Sequence, residues 1–244
     1  GGKAVLNDHN VPTSIVDRAV RLKCKIKRIG IDYSYTVSDG LLDWNPDPSR
    51  WGAARAYADL QVPGSGDDAV LHNAAGAVAI VESMNADLLV HKNAVRKGLA
   101  NTELFGRVQV LQGGIERLFD VAHNPAAIAN LASFIDKRHP VRRNHAVFSM
   151  LKDKDLAEVV RLMGSRIASW HLTQLDASRA APLQDLADVV SDHSNSEIKT
   201  WPNPLHAYKM AMQLARPGDR VVVFGSFYLV GAILKSVLED PLQA

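Results

Sequence analysis

The pattern of apolar and polar positions changes character near residue 102. Before that point it is irregular. Residues 4–7 (AVLN) read as a short buried strand. In SIVDRAVRLK, residues 14–23, the apolar residues Ile15, Val16, Ala19, Val20 and Leu22 have helical spacing. Ser14 is the expected N-cap, with Asp17 three residues on. Lys25 to Tyr35 alternates loosely and predicts one strand. Between 36 and 60, Asp39-Gly40 and Asn45-Pro46-Asp47-Pro48 break short strand-like pieces, which predicts hairpins. A loop is expected at 63–68 (PGSGDD), a helix rich in small residues over 69–84, and another over 91–100.

Beyond about residue 103 strands and helices alternate. Strands are expected at 107–112, 116–122, 145–151, 169–175, 197–201 and 220–225. Helices are expected at 125–137, 155–163, 183–190, 205–214 and 227–238. That alternation predicts βαβ units, hence an α/β fold with a mainly parallel sheet. VVVFG, residues 221–225, is continuously apolar, as a central strand covered on both faces requires. The expected domains are 1–102 and 103–244.

Composition narrows the class of protein. With 47% hydrophobic and 22% charged residues the chain reads as an ordinary soluble globular protein. A net charge of +2 is too small to argue for nucleic acid or an anionic membrane surface, so neither partner is expected. One cysteine, Cys24, allows neither a disulfide framework nor a thiolate metal cluster. This fits a reducing compartment, and a cytoplasmic location is expected. No stretch reads as a signal peptide or is apolar enough to span a bilayer.

The candidate chemistry lies at strand ends. DVAHNPAAI, residues 120–128, places Asp120 and His123 where an open α/β sheet binds ligands. The carboxylate suits ribose hydroxyls, and the imidazole can donate to a carboxylate or phosphate. Asn124 and Pro125 read as a cap and first helical residue. MLKDKD (150–155) ends a second strand; Asp153 or Asp155 is expected to cap a helix, while Lys152 and Lys154 read as solvated. QLDASRAA (174–181) ends a third strand. GSFY (225–228) ends a fourth, with Ser226 opening a helix whose free N–H groups favour an anion. These four ends should converge on one edge of the sheet. Arg107 has a fork suited to phosphate, though from its position alone it reads first as a surface residue at a domain junction. Asn73, in LHNAAGA, reads as a helix cap whose carboxamide also suits an adenine edge. His9, His72 and His91 have no partner at metal-ligand spacing, and no protein metal ligand is expected. Gly64-Ser65-Gly66 has no lysine after it and is not a phosphate loop.

Taken in order, HNAAGAV, GLANTELFGRVQVL, LFDVAHNPAA, AVFSMLKDKDLAEVV, LTQLDASRAA and VVVFGSFYLVGAIL resemble the later half of the bifunctional folylpolyglutamate synthase/dihydrofolate synthases, within the Mur ligase superfamily. The resemblance implies a C-terminal Rossmann-like domain, preceded by the tail of an α/β central ATPase domain. It implies a ligase of folate biosynthesis and one-carbon metabolism, using ATP and Mg2+. ATP would phosphorylate the carboxylate of dihydropteroate or a folate, and L-glutamate would displace the phosphate. Carried over by position, Asn73 would contact adenine, Arg107 the ATP phosphates and Asp120 the ribose. His123 and Ser226 would hold the incoming glutamate. Four positions depart from the family pattern. Phe105 stands for a proline, Ser149 for a glycine, Ser178-Arg179-Ala180 for Pro-Arg-Gly and Tyr228 for a histidine.

The family's Gly-Lys-Gly phosphate loop and magnesium ligands do not occur in these 244 residues. The chain starts Gly1-Gly2-Lys3, straight into an apparent strand. The expectation is therefore a fragment, inactive alone, from a truncated gene, a processed or tagged piece, or a split protein. A separate N-terminal half is then an expected partner, and the full-length family form is expected to be a monomer. Two other readings stay open: a fragment of a Mur-type ligase for cell-wall precursors, or a non-catalytic module binding nucleotide or glutamate.

Overall fold

The structure, a computed structural model, describes residues 1–62 and 68–239. The expected loop at 63–68, except Asp68, and its Gly-Ser-Gly lie outside the described residues. The chain divides into two compact units, Gly1–Glu103 and Leu104–Ala244.

The first unit opens with β1 (Lys3–Leu6), α1 (Thr13–Arg21) and β2 (Lys25–Arg28). β1 and β2 form a two-stranded parallel sheet. Helix α1 begins one residue before Ser14; Pro12 occupies the cap position, and no side chain caps it. The single strand expected over 25–35 is two. Gly30, at φ 74°, turns the chain after β2, and β3 (Tyr33–Ser38) starts a different sheet. β3, β4 (Leu41–Pro46) and β5 (Tyr57–Leu60) make an antiparallel sheet. Asp39 and Gly40 turn β3 into β4 with φ of 51° and 76°, the two positive values a type I′ hairpin needs. Asp47 accepts the N–H of Ser49 and starts the short α2 (Pro48–Trp51). Leu42, Trp44, Tyr57 and Leu60 pack with the small residues Ala74, Ala75 and Ala79 of α3 (Asp68–Leu88); α4 (Lys92–Ala100) adds Val95.

The second unit alternates as its sequence pattern requires: β6 (Gln109–Leu111), β7 (Glu116–Asp120), α5 (Pro125–Lys137), β8 (Asn144–Phe148), α6 (Leu156–Met163), β9 (Ser169–Thr173), α7 (Leu183–His193), β10 (Glu197–Trp201), α8 (Pro204–Leu214), β11 (Arg220–Phe224) and α9 (Phe227–Glu239). The strand order is β10-β9-β8-β11-β7-β6, parallel except for the edge strand β6. Helices α5, α6 and α7 cover one face through Ile128, Leu131, Val160, Met163, Leu186 and Val190. Helices α8 and α9 cover the other through Ala207, Tyr208, Leu229 and Ile233. β11 is central, and its side chains are buried on both faces. Each fully buried valine or phenylalanine there contributes about 1.5–3 kcal/mol.

The topology creates a crevice. The chain runs from β7 past an empty lane to β8, then outward to β10, and α8 carries it back to fill the lane with β11. β8 therefore sends its helix to one face while its neighbour β11 sends its helix to the other. Such a reversal parts the loops beyond the carboxyl ends of the strands.

The opposite edge of the same sheet is closed by charge. Glu116, at the start of β7, accepts from Arg138 at 2.9 Å and from the buried guanidinium of Arg220. Burial pushes its carboxyl up, but the two arginines together hold it below the usual range. Beside it runs a one-way hydrogen-bond chain. Trp201 Nε1 donates to His171 Nδ1 at 3.1 Å, and His171 Nε2 to Ser169 Oγ at 3.3 Å. Ser169 donates to His145 Nδ1 at 2.8 Å, and His145 Nε2 to Asp219 at 3.3 Å. Every donor in this chain meets an acceptor only while both histidines are neutral. Burial, with His145 and Lys199 nearby, lowers the His171 pKa to about 4.

Candidate functional site

Four strand ends meet over the crevice. Beyond β7, Asp120 is buried, and its two carboxylate oxygens accept the N–H groups of Val108 at 2.9 Å and Ala122 at 2.6 Å. These bonds tie the segment carrying Arg107 to the segment carrying His123. Val108 has φ 44°, a strained value for a β-branched residue, so Asp120 holds a conformation the chain would otherwise leave. Gly106, at φ 67°, fits where a Cβ would lie 3.0 Å from Val230 and 3.1 Å from Val121. Arg107 next to it is exposed, its guanidinium 5.4 Å from the centre of the Phe227 ring. Asn124 accepts the N–H of Ala127 and Pro125 follows, the cap the sequence indicates.

The His123 ring lies against Phe227, centroids 5.7 Å apart, and its Nδ1 is 2.9 Å from the Val121 carbonyl. Beyond β8, Asp155 caps α6 through the Glu158 N–H. The segments after β8 and β9 are stitched together: Lys152 N–H donates to the Arg179 carbonyl and Ala181 N–H to the Met150 carbonyl, both at 2.9 Å. That brings Lys154 and Arg179 to one place, with Asp153 3.6 Å from the first and 3.3 Å from the second. Beyond β11, Gly225 passes so close to β8 that a Cβ would lie 2.5 Å from the Ser149 carbonyl and 2.7 Å from the Phe148 ring. Only glycine fits, and the approach seats Ser226 beside the cleft. Ser226 is buried and its hydroxyl oxygen accepts the Tyr228 N–H at 3.1 Å, so it caps α9 as well as lining the cleft.

The cleft has a volume of about 170 Å³. A cavity of ~150 Å³ admits benzene, so this open cleft is on the scale of a small organic molecule or one end of a larger one. His123, Lys154, Arg179, Ser226, Phe227 and Tyr228 contribute to its lining. Two cations, a serine and a helix N-terminus make a setting for an anionic small molecule.

Sequence reasoning placed His123 and Ser226 correctly at one edge but took Lys154 for a solvated residue; it lines the cleft. The missed signal was its position in MLKDKD at a strand end, which gains meaning only once β8 and β11 are neighbours. Phe227 and Tyr228, exposed aromatics at the start of α9, were also missed. Asn73 belongs to the first unit and does not cap α3: the helix begins at Asp68, and Asn73 is exposed beyond its first turn. Of the departing residues, Ser149 is fully buried with no hydrogen-bond partner for its hydroxyl, and Phe105 is exposed. Among the described residues no three His, Cys, Asp or Glu side chains stand close enough to hold a metal ion. None of the described helices is long and apolar enough to cross a membrane.

Residues 106–227 match the family described as Mur ligase, glutamate ligase domain. The dihydrofolate synthase/folylpolyglutamate synthase of Escherichia coli is 28% identical over 240 residues, which are 96% of this chain and 51% of that protein. Its counterpart from Buchnera aphidicola subsp. Acyrthosiphon pisum is 27% identical over 95% of the chain and 53% of the relative. The chain thus spans about half the length of the curated relatives it matches. The structure of E. coli FolC in complex with DHPP and ADP superposes with a TM-score of 0.82 at 27% identity, covering 98% of this chain and 54% of that one. A bifunctional folylpolyglutamate synthase/dihydrofolate synthase with Mn, AMPPNP and L-glutamate bound gives 0.80 at 28% identity, covering 97% and 53%. With half of its residues matched to the glutamate ligase domain, the chain belongs to the Mur ligase family.

Proposed function

We propose that this chain supplies the glutamate-adding half of an ATP-dependent carboxylate–amine ligase, joining L-glutamate to dihydropteroate or a folate through an acyl phosphate. The observation that carries this reading is the cleft itself. Its lysine, arginine and helix N-terminus offer donors for two carboxylates, and its size suits one amino acid. Lys154, Arg179 and Ser226 hold the amino acid with His123. Arg107 meets the nucleotide phosphates and Asp120 the ribose; Asn73, on the other unit, meets adenine. Binding is then mostly positioning and charge neutralisation. ATP supplies the phosphoryl group that activates the acceptor carboxylate. Magnesium serves the phosphates from ligands outside these residues, and no step here is assigned to it. The reaction's soluble substrates suit a cytoplasmic enzyme.

The first unit favours a partner polypeptide carrying the remaining ATPase machinery. A parallel sheet is normally covered on both faces and wider than two strands. Here, among the described residues, β1 and β2 stand as a pair, and Ile15 and Val20 of α1 and Leu22 just after it are exposed.

Calorimetry with L-glutamate and ADP, followed by assay for dihydrofolate formation, tests the reading. Binding without turnover is expected of the 244 residues alone. Turnover by them alone, or no binding of either ligand, contradicts it.

A further inference from the structure

We propose that His123 recognises the amino group of the incoming amino acid, through a bare Nε2, and takes its proton, rather than holding a carboxylate. This rests on the amino-acid reading of the cleft and adds the role of one residue to it.

The geometry fixes the role. A backbone carbonyl can only accept, so the Nδ1 that lies 2.9 Å from the Val121 carbonyl must carry a hydrogen. In the neutral ring Nε2 then has a lone pair and no hydrogen. No partner takes that lone pair among the described residues, and the ring lines the cleft. A carboxylate has no hydrogen to offer such an atom, whereas an ammonium does. The donors for carboxylates are already present as Lys154, Arg179 and the start of α9. Two carboxylates and one ammonium therefore find complementary partners without spending the imidazole on an anion.

The chemistry needs this acceptor. An ammonium cannot attack an acyl phosphate until it loses a proton. Nε2 takes that proton and becomes the imidazolium, with its positive charge beside Phe227. The freed nitrogen pair forms the C–N bond to the acyl carbon. The bond from that carbon to the phosphate oxygen breaks, phosphate leaves with the electron pair, and the second nitrogen proton goes with it.

The sign of the pH dependence separates the two roles. If His123 held a carboxylate it would act as the cation, and affinity for glutamate would fall as pH rises. As an acceptor it acts when neutral, so affinity rises. Among the described residues, Lys154 after β8, Arg179 after β9 and Tyr228 on α9 line the same cleft, Asp153 pairs with Lys154 and Arg179, Arg107 lies across Phe227, and Asp120 ends β7 three residues before the ring.

The test uses the 244-residue chain labelled with 15N-histidine. Long-range 1H–15N spectra should show His123 as the Nδ1–H tautomer. L-glutamate should move its Nε2 signal, while glutarate, the same dicarboxylate without the amine, should not. L-glutamate should bind roughly tenfold more tightly at about pH 8 than at about pH 5.5, and His123→Gln should abolish the difference. An Nε2–H tautomer overturns the proposal whether or not a ligand binds. So does glutamate affinity that falls with rising pH. No glutamate binding at either pH overturns the cleft reading, and with it this role; the tautomer measurement still reports on the ring alone.

Discussion

The two edges of the sheet in the second unit use charge in opposite ways. At the amino edge, Glu116 is matched to Arg138 and Arg220, and Asp219 to Arg142, His145 and the Arg216 N–H. At the carboxyl edge, Arg107 lies over an aromatic ring, and Lys154 and Arg179 share one exposed aspartate. Charges that close on each other while buried define the fold. Charges left with spare donors beside a cleft are free to meet a ligand. The difference follows from topology. The amino edge is where strands start after tight returns and can be packed shut, whereas the carboxyl edge is parted by the reversal between β8 and β11.

The largest effect should come from breaking the closed edge. Glu116→Ala leaves the buried Arg220 uncompensated, and urea unfolding should show a loss of about 3–5 kcal/mol. Equal stability of this variant would remove the distinction between the edges.

Acid sharpens the same comparison. The folded pKa of His171, about 4, lies below the ordinary value of 6.5, so the unfolded chain takes up the proton first as pH falls. Stability should be flat above about pH 6.5 and fall by roughly 3 kcal/mol down to about pH 4. Protonation also sets two donors, His171 Nδ1 and Trp201 Nε1, against each other. His171→Gln should flatten that part of the stability curve. Glu116 and Asp219, whose carboxyls are held low against the burial that pushes them up, extend the loss as pH falls further.

Substitutions at the open edge should leave stability alone. Lys154→Ala should weaken L-glutamate binding by about 1.5–3 kcal/mol, and Arg107→Ala should cost ADP binding, or turnover in a completed enzyme, a similar amount. Both should change unfolding free energy by less than about 0.5 kcal/mol. Arg179→Ala should have the smallest effect, up to about 1 kcal/mol on glutamate binding, because the side chain is exposed and shared with Asp153.

Much of this architecture was legible in local pattern. Helix α5 begins and ends where the apolar spacing and Asn124-Pro125 place it, and β11 is central because VVVFG is apolar on both faces. What failed to show was backbone sign and long-range pairing. Lys25 to Tyr35 alternates like one strand, and nothing in the pattern reveals that Gly30 turns left-handed inside it. Ser14 looks like a cap, yet the helix starts one residue earlier, after Pro12. The amino-edge network joins Glu116 to Arg220, 104 residues apart, and no spacing rule connects them. Lys154 reads as solvated from its local sequence because its place in the cleft depends on a strand that arrives some seventy residues later. His123 was visible as a polar strand end, but its acceptor nitrogen was not, since that depends on the carbonyl two residues before it.

The most direct test of the central claim, that the carboxyl edge is the binding edge, is amide and side-chain NMR of the 244-residue chain titrated with L-glutamate. The account predicts saturable shifts at His123, Lys154, Arg179, Ser226 and Tyr228, with Glu116, His145 and Asp219 unmoved. Shifts centred on the amino edge, or none at millimolar glutamate, would contradict it.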